Sequence, residues 1–192
     1  MKKALIIHGW DGKKGFYDPN QPTNSNANWF PWLSKQLMIR DIHTVAIEMP
    51  NSYYPEYEIW KKELERFELD KDTILIGHSC GASFIVRYLS ENNVKVGKVF
   101  LVAPWLGLPF DDDEPFDETF FQFDIDKNLT KKTAGVLLIE STDDMPQIQE
   151  SAKILKDKIV NMDVLTFSDK GHFDILTANM HEFPELLEEI IR

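Results

Sequence analysis

Cysteine is almost missing: Cys80 is the single one in 192 residues. That excludes a disulfide framework and a cysteine-based zinc site. Positive charge is also short, with Lys+Arg 21 against Asp+Glu 32 and a net charge of −11. This balance argues against sequence-independent binding to nucleic acid, which needs basic side chains to neutralise phosphates. Long apolar runs are lacking too, none approaching the ~20 residues that cross a bilayer. The start, Met1-Lys2-Lys3, is followed by only four apolar residues before His8-Gly9, too few for the apolar region of a signal peptide. These absences predict a cytoplasmic protein with neither nucleic acid nor membrane as a partner. Aromatic residues, at 12% with five tryptophans, oppose disorder. The length suits one domain over 1–192.

What is present is a rhythm. Short apolar runs at 4–8, 44–49, 73–77, 98–102, 136–140 and 164–168 read as strands. Most are continuous rather than alternating, as expected for strands buried on both faces of a parallel sheet. Helical spacing lies between them: Tyr57, Trp60, Leu64 and Phe67 share a face, as do Ile148, Ala152, Leu155 and Ile159. Phe183, Leu186, Leu187, Ile190 and Ile191 repeat it near the end. The alternation predicts an α/β fold of about six parallel strands with helices on both faces. Two segments interrupt it. Residues 18–28 are polar and rich in Asn and Pro, and read as a mobile loop. Residues 105–132 hold five phenylalanines and a run of acids, and read as a small lid. Its stretch 111–126 has eight acids and no Lys or Arg, so it carries eight of the eleven net negative charges.

Gly77-His78-Ser79-Cys80-Gly81 is a G-x-S-x-G pattern between an apolar run and a helix-like run from Ala82 to Leu89. A serine on a sharp strand-to-helix turn is lifted above the carboxyl ends of the strands, where open α/β sheets bind ligands. The two glycines remove side chains that such a turn has no room for. Serine needs a base to become a nucleophile. Of five histidines, His172 follows the last strand at the same edge of the sheet, and Gly171 permits a tight approach. His78 is expected to point away from Ser79, His8 to shape a loop, and His43 and His181 to face solvent. The imidazole needs a carboxylate, and Asp143-Asp144 follows the fifth strand. One of the pair could cap the helix after Pro146 while the other orients His172; spacing leaves both assignments open.

An oxyanion would be held by the backbone N–H of Cys80 and, from the loop after the first strand, of Trp10. The Cys80 side chain reads as a small packed residue. Trp105, after the fourth strand, is the candidate pocket wall, and the phenylalanines beyond it either line an acyl pocket or pin the segment to the core. The glycines at 9, 12 and 15 match no nucleotide-binding fingerprint, and Asp111-Asp112-Asp113-Glu114 lacks the spacing of a calcium loop. No metal or cofactor is therefore expected.

These residues, in this order, resemble the small α/β-hydrolases of the retinoblastoma-binding-protein-nine and bacterial YdeN type. The likeness rests on His8-Gly9, Asn28-Trp29-Phe30-Pro31-Trp32-Leu33, Met49-Pro50-Asn51, the stretch from Thr73 to Ser79, Ser141-Thr142-Asp143-Asp144 and Gly171-His172-Phe173. It implies a minimal three-layer α/β-hydrolase fold and a cofactor-free Ser-Asp-His triad of Ser79, Asp144 and His172. The expected activity is serine hydrolysis of a small ester, thioester or amide. The alternative is a non-catalytic interaction module on the same scaffold, with a protein as partner instead of a small acyl substrate.

Overall fold

The computed structural model describes residues 2–110 and 116–192. Its strands are β1 (Lys3–Ile7), β2 (His43–Ile47), β3 (Thr73–His78), β4 (Lys98–Val102), β5 (Gly135–Ser141) and β6 (Asp163–Phe167). All pair in parallel in one sheet, in the order β2-β1-β3-β4-β5-β6. Short α1 (Lys13–Phe16) and α2 (Phe30–Met38) follow β1, α3 (Tyr57–Leu64) follows β2, and α4 (Cys80–Glu91) follows β3. After β5 comes α5 (Pro146–Lys158), and β6 is followed by α6 (Ile175–Ala178) and α7 (Pro184–Ile191). The chain moves one way from β1 to β2 and the other way from β3 onward. Right-handed crossovers then place helices on opposite faces. Accordingly α2 meets α7 on one side, while Tyr57 and Trp60 of α3 meet Phe84 of α4 on the other. The reversal of direction between β1 and β3 is the switch point at which such sheets bind ligands.

Continuous apolar burial holds for β1, β3 and β4, and every residue of β3 is buried. It fails at β6, where Val164 is 42% exposed. This strand is at the edge, with a neighbour on one side only. A cavity of about 400 Å³ opens beside it, lined by Lys98, Gly135 and Asp163, the first residues of β4, β5 and β6. It therefore lies at the opposite end of the sheet from Ser79. In α7 the apolar face also ends early: Leu186, Leu187 and Ile190 are buried, but Ile191 at the last turn is exposed.

The segment 18–28 is tied to the turn after β2. Asn24 Nδ2 donates to Ser52 Oγ at 2.9 Å, and the Ser25 N–H to the Glu48 carboxylate at 2.8 Å. In 105–132, the acids Asp111 to Glu114 lie outside the described residues. The remainder forms two 3₁₀ turns, Glu118–Phe121 and Leu129–Lys132. Its phenylalanines divide. Phe120 is 1% exposed and packs on Trp60 and Phe84, so it pins the segment to the core. Phe110, Phe116 and Phe121 instead surround Trp105, with ring centroids 4.9–5.1 Å away. Arg87 of α4 completes the anchor, donating to the carbonyls of Thr119 at 2.7 Å and Phe120 at 2.9 Å. Removing a fully buried phenylalanine costs about 3–5 kcal/mol through lost burial and an unfilled cavity. Phe120→Ala is expected to fall in that range by urea denaturation, and a loss below about 1 kcal/mol would mean the segment is not anchored there.

Candidate active site

Ser79 sits between β3 and α4 with φ 55° and ψ −122°. A side-chain-bearing residue adopts this conformation only when its surroundings over-determine it. Here the Ser79 N–H donates to the Val102 carbonyl at 2.9 Å, and its own carbonyl accepts from the Trp105 N–H at 3.2 Å. A Cβ on Gly81 would lie 2.3 Å from both the Ile7 and the His8 carbonyl oxygens. The first turn of α4 thus presses on the end of β1, and only glycine fits. Gly9 brings the loop after β1 against the serine itself: a Cβ there would sit 2.8 Å from Ser79 Cβ and 3.3 Å from Oγ.

His172 lies in the turn after β6 and is 9% exposed; Asp144, after β5, is 5% exposed. His172 Nδ1 is 3.1 Å from both Asp144 carboxylate oxygens. A carboxylate only accepts, so Nδ1 carries the proton and Nε2 is left as the basic nitrogen. Asp144 Oδ1 also accepts the Met145 N–H at 2.7 Å. The two aspartates are separated by what they touch. Asp143 Oδ1 accepts the Gly171 N–H at 3.1 Å and the Ser141 hydroxyl. The Ser141 hydroxyl bond, chiefly, holds the Asp143 carboxyl below its usual range. Asp143 therefore shapes the histidine loop, and Asp144 meets the imidazole. Neither caps α5 with its side chain, because the N-cap position is Met145.

The other histidines have separate places. His43 and His181 are exposed. His8 Nδ1–H donates to the Gly9 carbonyl at 2.8 Å, while its Nε2 accepts the Met49 N–H at 2.8 Å. That ring joins the loops after β1 and β2, and burial pushes its pKa down. His78 Nε2–H donates to the carbonyl of His172 at 2.7 Å. Burial, and next the neighbouring His172, lower the pKa of His78 to about 3.

Of the expected oxyanion donors, Cys80 follows Ser79 in the chain and Trp10 follows Gly9, which packs against the serine. Cys80 opens α4, where N–H groups have no partner within the helix. Among the described residues neither its N–H nor that of Trp10 donates to a protein acceptor. The Cys80 thiol is wholly buried, which raises its pKa well above the ordinary value and keeps it protonated. Trp105 stands at the carboxyl edge as expected, but its ring is only 2% exposed. It is enclosed by the three phenylalanines and by Trp10 at 6.0 Å. Among the described residues no group of three or more His, Cys, Asp or Glu side chains could hold a metal ion. No described helix is long and apolar enough to cross a membrane.

Several supports of the site carry no sequence signal of their own. Trp29 Nε1 donates to the Phe173 carbonyl at 2.9 Å, and Asn28 Oδ1 accepts the Ile175 N–H at 3.1 Å. The Asn28-Trp29 pair is visible in the sequence, but not that it reaches across the chain to the histidine loop. Thr177 Oγ1 accepts the His172 N–H at 2.8 Å. Asp174 three residues before Thr177, a side-chain cap of the following helix, was the available hint.

Two expectations follow. Gly81→Ala forces a methyl into two backbone carbonyls, and overpacking of this kind costs about 1–3 kcal/mol. Urea denaturation should register that loss; an unchanged midpoint would mean β1 and α4 can part. Second, His8 and His78 are neutral when folded, with pKa values below the unfolded value of about 6.5. The unfolded chain alone takes up these protons as pH falls below about 6.5. These two histidines should therefore add no pH dependence above about pH 7, and stability should decline toward pH 4, by up to ~1.4 kcal/mol per pH unit per histidine. A denaturation midpoint that stays level from pH 7 to 4 would contradict this.

With the geometry in hand, the chain can be set beside known proteins. It is 27% identical over 169 residues to Serine hydrolase RBBP9 of Rattus norvegicus, covering 85% of this chain and 86% of that one. It is 30% identical over 106 residues to Putative hydrolase YdeN of Bacillus subtilis (strain 168), covering 53% of this chain; that match spans half the length of YdeN. The crystal structure of the ydeN gene product from B. subtilis superposes with a TM-score of 0.82 at 24% identity. It covers 100% of this chain and 97% of that one, and places the fold among the α/β-hydrolases. The family model for Serine hydrolase matches residues 4–190, and the chain belongs to the serine hydrolase family.

Proposed function

We propose that this enzyme cleaves a small ester, thioester or amide through an acyl-enzyme on Ser79, with His172 and Asp144 as its base and orienting acid. Ser79 Oγ attacks the substrate carbonyl carbon while His172 Nε2 takes the hydroxyl proton. Asp144, across Nδ1, stabilises the imidazolium that forms. The carbonyl oxygen becomes an oxyanion facing the N–H groups of Trp10 and Cys80. Collapse expels the alcohol, thiol or amine, which receives the proton from His172. Water, deprotonated by the same nitrogen, then attacks the acyl carbon and releases the acid and free Ser79. The observation that carries the reading is the 3.1 Å approach of the Asp144 carboxylate to His172 Nδ1, with the His172 carbonyl bonded to His78, the residue before a serine held at φ 55°.

The substrate is small and partly apolar in this reading, because the half-buried Trp10 stands at the carboxyl edge with the enclosed Trp105 ring behind it. The acids of the 105–132 segment, taken as a small lid on a single hydrolase domain, disfavour anionic substrates. A free, buried cysteine suits a reducing compartment such as the cytoplasm.

Ser79→Ala is expected to abolish turnover of a p-nitrophenyl acyl ester and labelling by a fluorophosphonate probe. Asp144→Asn should lower kcat by roughly 10³–10⁴ with KM little changed, since the wrong tautomer of His172 is then favoured. Asp143→Asn should cost far less. Ester turnover that survives Ser79→Ala refutes the mechanism. A wild type that turns over no ester, yet binds a protein partner equally well with Ser79→Ala, favours the interaction-module reading instead.

A further inference from the structure

We propose that His78 is a positioning residue for the hydrolytic reaction, setting the distance between the serine turn and the His172 loop through its bond to the His172 carbonyl. The inference rests on the assignment of Ser79 and His172 as nucleophile and base. It adds a role for the residue next to the serine, whose side chain takes no part in the chemistry.

His172 is fixed at three points. Asp144 meets its ring, Thr177 Oγ1 accepts its backbone N–H at 2.8 Å, and His78 Nε2–H donates to its carbonyl at 2.7 Å. The Asp144 bond can rotate with the ring, and the Thr177 bond comes from the same loop, five residues on. Among the described residues, the hydrogen bond that joins His172 to the element carrying Ser79 is the one from His78, one residue from the serine. The two candidate reacting groups are thus linked by one peptide step and one hydrogen bond.

The backbone beyond the carbonyl makes that bond consequential. Phe173 has φ 56°, in the left-handed region that a bulky side chain avoids. Such a turn relaxes unless its carbonyls are held. Two bonds hold them: His78 to the carbonyl of His172, and Trp29 Nε1 to that of Phe173 at 2.9 Å. Without the first, the 172–173 peptide keeps only the bond of the Phe173 N–H to the Lys170 carbonyl at 2.8 Å, which lies within the same turn, and the imidazole on His172 shifts with that turn.

Imidazole suits the task. His78 is 5% exposed, with the rings of Trp29, Phe30 and His172 at 6.2, 6.0 and 4.9 Å. A lysine or arginine would bring a charge into this apolar setting beside a base that must itself become cationic. A neutral histidine in its Nε2–H form supplies the donor without the charge, and its burial keeps it neutral across the working pH range.

The test compares His78→Gln, whose amide N–H can reach the position of Nε2, with His78→Leu, which keeps apolar volume and has no donor. Both are assayed with a p-nitrophenyl acyl ester beside the wild type. Misplacing a reacting group by about 1 Å can cost on the order of 10²-fold. His78→Leu should lose roughly tenfold to a hundredfold in kcat with KM within about twofold, and His78→Gln should recover most of it. Leucine with the native kcat, or glutamine as poor as leucine, overturns the proposal. Should either variant fail to fold, two-bond ¹H–¹⁵N NMR of the ¹⁵N-labelled wild type decides. A neutral His78 protonated on Nε2 between pH 6 and 8 supports the bond, and an Nδ1–H tautomer refutes it. The NMR readout does not depend on turnover. Failure of Ser79 to take a fluorophosphonate label would therefore refute the catalytic reading separately from the His78–His172 bond.

Discussion

The backbone of Ser79, turned to φ 55° between β3 and α4, constrains everything near the carboxyl edge of the sheet. A conformation of this kind costs of order 1–3 kcal/mol and persists only where neighbours fix both peptide groups. Val102 fixes one and Trp105 the other, so β4 must run beside β3 and its exit loop must fold back over the turn. Gly81 requires β1 to end under the first turn of α4, and Gly9 then lays the next loop against the serine. The order β2-β1-β3-β4 is what brings these strands together. Among the described residues, the N–H groups of Cys80, at the opening of α4, and of Trp10, in the loop after β1, donate to no protein acceptor.

A second rigid unit, the turn carrying His172, hangs on several remote elements. The end of β5 supplies Ser141 and the turn after it Asp143 and Asp144; the entry to α2 supplies Asn28 and Trp29; the serine turn supplies His78. Their bonds go mainly to backbone groups, so the loop is held by its peptide groups, while among the described residues the imidazole's hydrogen-bond partner is the Asp144 carboxylate. The electrostatics agree with this division. Asp144 is the carboxylate at the ring, and both other buried histidines, His8 and His78, are kept neutral by burial. No fixed positive charge among them opposes an imidazolium at His172.

How far the sequence discloses this depends on the range of each interaction. Central strands were legible because double-sided burial writes continuous apolar runs, and β4 matches its expected span of 98–102. β6 is legible as a strand but not as an edge strand, since being at the edge is a property of topology rather than of local composition. Ser79 and His172 were legible because local turn chemistry and chain order mark them. Asp143 and Asp144 were not separable, because one residue of spacing gives no hint of which carboxylate turns inward. The partner of His78 lies 94 residues away and leaves no local mark. Trp29 reaches 144 residues to Phe173. Contacts of that separation leave no periodicity to read.

The aromatic segment after β4 connects the two ends of this picture. Trp105 belongs to the serine turn through its N–H, and Ser83 of α4 donates to its carbonyl. Its ring, however, is enclosed by Phe110, Phe116 and Phe121. The same stretch is anchored by Phe120 in the core and by Arg87, whose guanidinium lies 3.7 Å over the Tyr57 ring. The segment cannot shift at Trp105 without disturbing the backbone bonds that hold Ser79. In the proposed reaction this ties acyl selection to the geometry of attack. An acyl chain large enough to displace the Trp105 ring would strain the serine turn as well, so larger substrates should be penalised in kcat and not in binding alone.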